Sequence, residues 1–111
     1  MEILTIYEKV NLGIPIVERR FFNYLNDTVD ELTSTYNKFV LEEDEEYIPP
    51  KALTDEIAVR PLYASCIVDN ILFLALGNEV KKTEFLRKAR EIYHHYWSEN
   101  AKGKYMKASR W

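Results

Sequence analysis

The chain is poor in the residues that staple, punctuate or interrupt a fold. It has one cysteine, three glycines and four prolines in 111 residues. A single cysteine excludes an intramolecular disulfide framework and a cysteine-based zinc site. So few glycines and prolines exclude a collagenous or low-complexity chain. Long hydrophobic runs are missing as well. The longest strongly apolar stretch, Ile71 to Leu76, falls far short of the roughly 20 residues that span a bilayer. The start, Met1-Glu2-Ile3-Leu4, carries an acid where a secretory signal carries positive charge. A soluble protein made inside the cell is expected. The basic excess usual in a DNA-binding domain is also absent, since the formal net charge is -3.

What is present is apolar and aromatic. Hydrophobic residues make up 47% of the chain and aromatics 14%, enough for a core without staples. A chain of this length forms one domain and buries roughly two-thirds of its unfolded surface. The small net charge hides a segregation. Glu42, Glu43, Asp44, Glu45 and Glu46 are an unbroken acidic run, whereas residues 101–111 carry Lys102, Lys104, Lys107 and Arg110 and no acid. Adjacent like charges repel and favour an exposed, solvated segment. Either these are a solubilising loop and a frayed end, or the two segments meet each other across copies, or each meets a different partner.

Hydrophobic periodicity is mostly helical. Ile3, Ile6, Tyr7 and Val10 share one helix face, and Gly13 is placed to end that helix in a left-handed conformation. Pro15 is tolerated in the first turn of a second helix, expected over 15–36. Its stripe is Val17, Phe21, Leu25, Val29, Leu32 and Tyr36, widened by Phe22 and Tyr24. Phe39-Val40-Leu41 and Tyr47-Ile48 flank the acids and could pair as a short, irregular hairpin. Pro49-Pro50 breaks regular structure, and Thr54, followed by Asp55 and Glu56, is a candidate N-cap. Pro61 either opens a new helix or kinks one.

From Leu62 to Leu76 the sequence is apolar almost all round, so this helix belongs at the centre of the domain or beneath a neighbouring subunit. Asp69-Asn70 interrupts it, and Asp69 must reach solvent, pair with a cation or face a partner. Gly77-Asn78 ends it. A last helix over 79–100 carries Val80, Phe85, Leu86, Ala89, Ile92, Tyr93, Tyr96 and Trp97 as its stripe. The short turn makes the last two helices an antiparallel hairpin. The expected fold is all-α: a compact bundle of about four helices over 1–100. An irregular acidic loop separates helices two and three, and an extended basic, aromatic tail occupies 101–111.

No catalytic constellation stands out. His94 and His95 are adjacent, so on a helix they point about 100° apart and cannot chelate one metal. Cys66 lies in the most apolar helix, where burial disfavours the thiolate. Asp27, Asp30 and Glu31 share part of a helix surface, where such carboxylates are ordinarily solvated. There is no Gly-rich phosphate loop, nucleophile elbow or HExxH pattern. The chain is expected not to be an enzyme and to need no cofactor or metal. Two features point to binding surfaces instead. Tyr and Trp are the residues interfaces favour. In the tail, Tyr105, Met106 and Trp111 interleave with the cations, so the tail folds back on the bundle, docks on a protein partner or contacts nucleic acid.

The order of elements resembles a known family. Phe22-Asn23-Tyr24-Leu25-Asn26-Asp27 lies in the amphipathic helix. Tyr47-Ile48-Pro49 and Leu53-Thr54-Asp55-Glu56-Ile57 follow, and Pro61-Leu62-Tyr63-Ala64 opens the apolar helix. Gly77-Asn78-Glu79 opens the last helix, with Phe85, Ala89 and Tyr93, and the chain closes in Arg110-Trp111. Over nearly its full length this is similar to the small head-tail connector (adaptor, or head-completion) proteins of tailed bacteriophages and prophages. The five-acid run departs from the family.

The resemblance implies a structural virion protein at the portal vertex or neck, made in the bacterial host cytoplasm. Its partners would be the portal protein, copies of itself in a ring (dodecameric when assembled) and the next neck or tail-completion protein. DNA would pass through without sequence-specific binding, and no membrane is involved. Tyr105, Met106, Lys107, Arg110 and Trp111 would contact the portal or a neighbouring subunit. Glu42 to Glu46 would face the channel or the next copy. An acidic lumen repels the DNA backbone and lets it slide. The alternative is a small helical regulator of phage or prophage origin that binds DNA or a protein. Its cationic surface would be Lys81, Lys82, Arg87, Lys88 and Arg90 on the last helix.

Overall fold

The computed structural model describes the backbone of residues 1–108 and their side chains except those of 37, 38 and 100–108. Four α-helices are present among the described residues: α1 (Ile3–Gly13), α2 (Glu18–Tyr36), α3 (Ala64–Leu76) and α4 (Glu79–Ala108). Short 3-10 turns cover Asn37–Val40 and Pro61–Tyr63. The described residues contain no strand, only two isolated antiparallel bridges. The all-α bundle expected from periodicity is the fold.

α3 is the central helix, packed on α1, α2 and most extensively on α4. This is why its sequence is apolar on nearly every side. Cys66, Ile67, Ile71 and Leu72 are buried, together with Phe21, Leu25 and Leu32 of α2 and Phe85 and Ala89 of α4. α3 ends where expected. Gly77 takes the left-handed conformation at φ 70°, and its N–H bonds the Phe73 carbonyl at 2.7 Å. The Asn78 side chain then accepts the Val80 N–H at 3.0 Å and starts α4.

Gly13 serves a different purpose from the one its position suggests. α1 ends through an extended Ile14, at φ -156°, and Gly13 has no positive φ. A Cβ on Gly13 would meet Leu72 Cδ2 at 2.8 Å, so the missing side chain lets α1 approach α3. α2 starts at Glu18 rather than Pro15 because α1 holds the backbone of Ile16. The Asn11 amide oxygen accepts the Ile16 N–H at 3.1 Å, and the Tyr7 hydroxyl donates to the Ile16 carbonyl at 2.8 Å. Val17, expected in the buried stripe, is therefore ahead of the helix and exposed.

The connection between α2 and α3 does not form the hairpin expected across the acids. Leu41 bridges Val59, with Glu42 N–H to Ala58 O at 2.8 Å and Arg60 N–H to Val40 O at 2.9 Å. Val40 and Val59 are both wholly buried, and that burial selects the pairing. Tyr47 instead donates its hydroxyl to Asn26 of α2 at 2.6 Å. No helix begins at Thr54. The Asp55 carboxylate accepts the N–H groups of Lys51 and Ala52, at 2.8 and 3.0 Å, and closes a turn. Those bonds hold its carboxyl below the ordinary range.

α4 runs past the expected boundary at residue 100, with helical backbone to Ala108. The tail residues singled out from the sequence, Tyr105, Met106, Lys107, Arg110 and Trp111, have side chains outside the described residues. α4 buries the face defined by Phe85, Ala89, Ile92 and Tyr96, at helical spacings of four, three and four. Leu86 and Trp97, expected in that stripe, lie one residue further round and are 53% and 50% exposed, and Val80, also expected there, is exposed in the first turn.

Candidate interaction surfaces

The acidic segment is a held loop. Asp44 adopts φ 60°, and Glu45 N–H bonds the Glu42 carbonyl at 3.1 Å, closing a turn. Its first side is pinned by the Leu41–Val59 bridge and by Arg60. The Arg60 guanidinium donates from Nε to the Phe39 carbonyl at 3.0 Å and lies 3.8 Å from the Glu42 carboxylate. It also covers the Tyr96 ring of α4 at 4.8 Å. Its second side is pinned by the Tyr47–Asn26 bond, and burial raises the Tyr47 phenol to about 12.

Between the pins, Glu43, Asp44, Glu45 and Glu46 are exposed. Glu42, Glu45 and Glu46 line an open cleft with Glu56, Met1 and Ile48. Glu56 was not anticipated. It is brought there by the bridge between Glu2 and Glu56, a pairing that links the chain start to the segment before α3. Ile57 N–H bonds the Met1 carbonyl at 3.0 Å, and the Met1 ammonium donates to the Ile57 carbonyl at 2.9 Å. Ile48 stands 75% exposed beside the acids.

Asp69 and Asn70, the polar interruption of α3, are both buried. Asp69 is buried and lies 2.8 Å from Lys88 Nζ and 3.8 Å from Lys81 Nζ. The shorter contact has the distance of a hydrogen bond but not its angles, so charge holds the pair. Of the three possibilities open from the sequence, Asp69 takes the cation. Asn70 donates to Thr28 of α2 at 2.8 Å, and its carbonyl oxygen accepts from Lys82 at 3.2 Å. Lys82 also donates to both oxygens of Glu31 at 2.7 Å and lies over the rings of Phe73 and Phe85. One lysine thus ties α2, α3 and α4 together.

These pairs change the outer chemistry of α4. Among its described cations, Lys81 and Lys88 face the buried Asp69, Lys82 pairs with Glu31 of α2, and Arg87 bridges Glu84 at 2.7 Å and Glu91 at 3.1 Å on its own helix. Arg90 is in no ion pair among the described residues. It lines a shallow groove with Tyr36, Thr83, Leu86 and Arg87. Residues 86, 90 and 97 fall on one stripe of α4, with 93 and 94 at its edges. Tyr93 anchors that stripe, stacked on Tyr36 at 4.7 Å and edge-on to Phe39 at 5.8 Å.

The other candidate groups lie apart from one another. Cys66 is buried, its thiol within 3.1 Å of the Tyr63 carbonyl, and burial pushes it up to about 12. His94 and His95 are exposed, their rings against Tyr93 and Tyr96. Asp27 and Asp30 face a groove beside Tyr47 and Pro49, while Glu31 turns away to Lys82. The described residues hold no group of three or more His, Cys, Asp or Glu placed to hold a metal ion. None of their helices is long and apolar enough to cross a membrane. Comparison with protein-family models, curated proteins and solved structures finds no match.

Proposed function

We propose that this chain is a structural subunit of a phage or prophage neck, a head-tail connector without catalytic activity. It assembles as a ring below the portal, extends the DNA channel and carries the next neck or tail protein. The observation that supports this best is a pair of unlike surfaces on one rigid bundle. The acidic loop is pinned at both ends, and α4 carries an exposed Leu86, Arg90 and Trp97. A ring subunit needs two different, complementary faces. The basic end, with Tyr105, Met106, Lys107, Arg110 and Trp111, is the segment proposed to clasp the portal.

The regulator reading has less support. Of the five α4 cations it would present to DNA, four are already in ion pairs within the subunit. Particle composition tests the proposal. Virions from the phage or lysogen that carries the gene are analysed by mass spectrometry and immunogold labelling. The protein is expected at a single vertex per head, and deletion of 101–111 should abolish its incorporation. A protein absent from virions refutes the connector role.

A further inference from the structure

We infer that the outward stripe of α4, Leu86, Arg90, His94 and Trp97, is the seat for the acidic loop, residues 42–48, of a second copy of this chain. The inference deepens the ring reading by naming the two surfaces that meet. It rests on complementarity in two properties at once. The stripe offers apolar Leu86 and Trp97 around an exposed Arg90 that is in no ion pair among the described residues. The loop offers exposed Ile48 beside Glu43, Asp44, Glu45 and Glu46, none of which has an ion-pair partner among the described residues. Trp and Arg are the side chains that dominate contact energies when they meet a matching surface.

The loop cannot reach the stripe of its own molecule. Its first side is bonded to 58–60 and its second side to Asn26. Arg60 fixes it over Tyr96, on the buried side of α4 and about 100° round the helix from Trp97. The same pins hold the acids in place before contact, which lowers the ordering cost of docking. Joining two different surfaces of identical chains gives a heterologous contact, which propagates and closes when the rotation allows. Each contact is small, so a single pair is weak, and closure into a ring supplies the additional strength through effective concentration.

Sedimentation equilibrium on the full chain provides the test, from about 1 to about 500 μM, where small interfaces associate. The average mass should rise with concentration and fall back as salt screens the charges. Arg90→Glu, Trp97→Ser and the double variant Glu45→Lys/Glu46→Lys change exposed residues only, and unchanged circular dichroism would confirm their folds. Each should weaken self-association by about tenfold or more. Mixing Arg90→Glu with Glu45→Lys/Glu46→Lys should restore it, because each glutamate then meets a lysine on the other variant. A chain that stays monomeric throughout, an Arg90→Glu variant that associates normally, or a mixture that fails to recover overturns the inference. The connector reading fails separately. A self-associating protein missing from virions sinks that reading alone, and a virion protein that assembles normally with Arg90→Glu sinks this one alone.

Discussion

Removing Lys88 should expose how the bundle tolerates a carboxylate at its centre. The Asp69 side chain is 8% exposed, and Lys88 is 2.8 Å from it. At an effective dielectric of about 20, that separation corresponds to an attraction of about 6 kcal/mol. Most of it is cancelled by the desolvation of both ions, several kcal/mol for each. Lys81 stands further off, at 3.8 Å, and 39% of its side chain is in solvent, so screening reduces its share to that of a surface pair, below about 1 kcal/mol.

Lys88→Met is therefore expected to cost about 2 to 3 kcal/mol, with Lys81 left as partial compensation, and Lys81→Met under about 1 kcal/mol. The double variant leaves Asp69 without a cation and should cost about 3 to 5 kcal/mol. Its excess over the sum of the singles measures the compensation. Asp69→Leu combined with Lys88→Met should bring stability back to within about 1 kcal/mol of the parent, since an apolar pair needs no desolvation. Urea unfolding followed by circular dichroism reads all four. A Lys88→Met protein within about 0.5 kcal/mol of the parent would refute the account, because the carboxylate would then be hydrated rather than buried.

Three other outcomes follow from the geometry. Gly77→Ala should cost about 1 kcal/mol in thermal or urea unfolding, from backbone strain alone, because φ is 70° and an added Cβ would meet nothing within 4 Å. Tyr47→Phe removes the 2.6 Å bond to Asn26, and should cost about 1 kcal/mol and speed amide exchange in residues 42–48. The folded state holds Cys66 and Tyr47 protonated up to about 12, whereas the unfolded chain releases those protons near 9.0 and 10.0. Their contribution is whole below those unfolded values and is lost as pH climbs to about 12. Urea midpoints should fall from above pH 9, and Cys66→Ala should delay the onset toward pH 10. An onset that stays put with Cys66→Ala would remove the thiol from the account.

The helices were legible because helix periodicity is a local signal. Ile3, Ile6 and Val10 lie on one face whatever surrounds α1, and the apolar α3 takes the central place, one of the two its sequence allows. What failed depended on contacts distant in sequence. Nothing near Gly13 reveals Leu72, and nothing near Pro15 reveals that Tyr7 and Asn11 occupy the Ile16 backbone. The acidic loop looked like a hairpin because Tyr47-Ile48 is the nearest apolar pair. The real partner is Val59, because burying Val40 with it gains more than pairing across repelling acids. Thr54 failed as a cap because Asp55 satisfied the backbone of a turn first. On α4 the apolar stripe in the sequence is wider than the face that is buried. One face was enough to cover α3, and Leu86 and Trp97 were left outside it.

That excess width connects the fold to the proposed function. Leu86 and Trp97 are each about half exposed, so each keeps apolar area that the proposed contact would cover. The cations show the reverse economy. Lys81, Lys82, Lys88 and Arg87 are all used within the subunit, to neutralise Asp69 and Glu31 and to brace α4 itself. Arg90 is the exception among the described side chains of α4, and it sits between the two exposed apolar groups. On the loop the same arrangement recurs with opposite sign, an exposed isoleucine beside acids 43–46, which are in no ion pair among the described residues. Under the proposed function, the apolar and charged groups left on these two surfaces are the ones a second copy would cover.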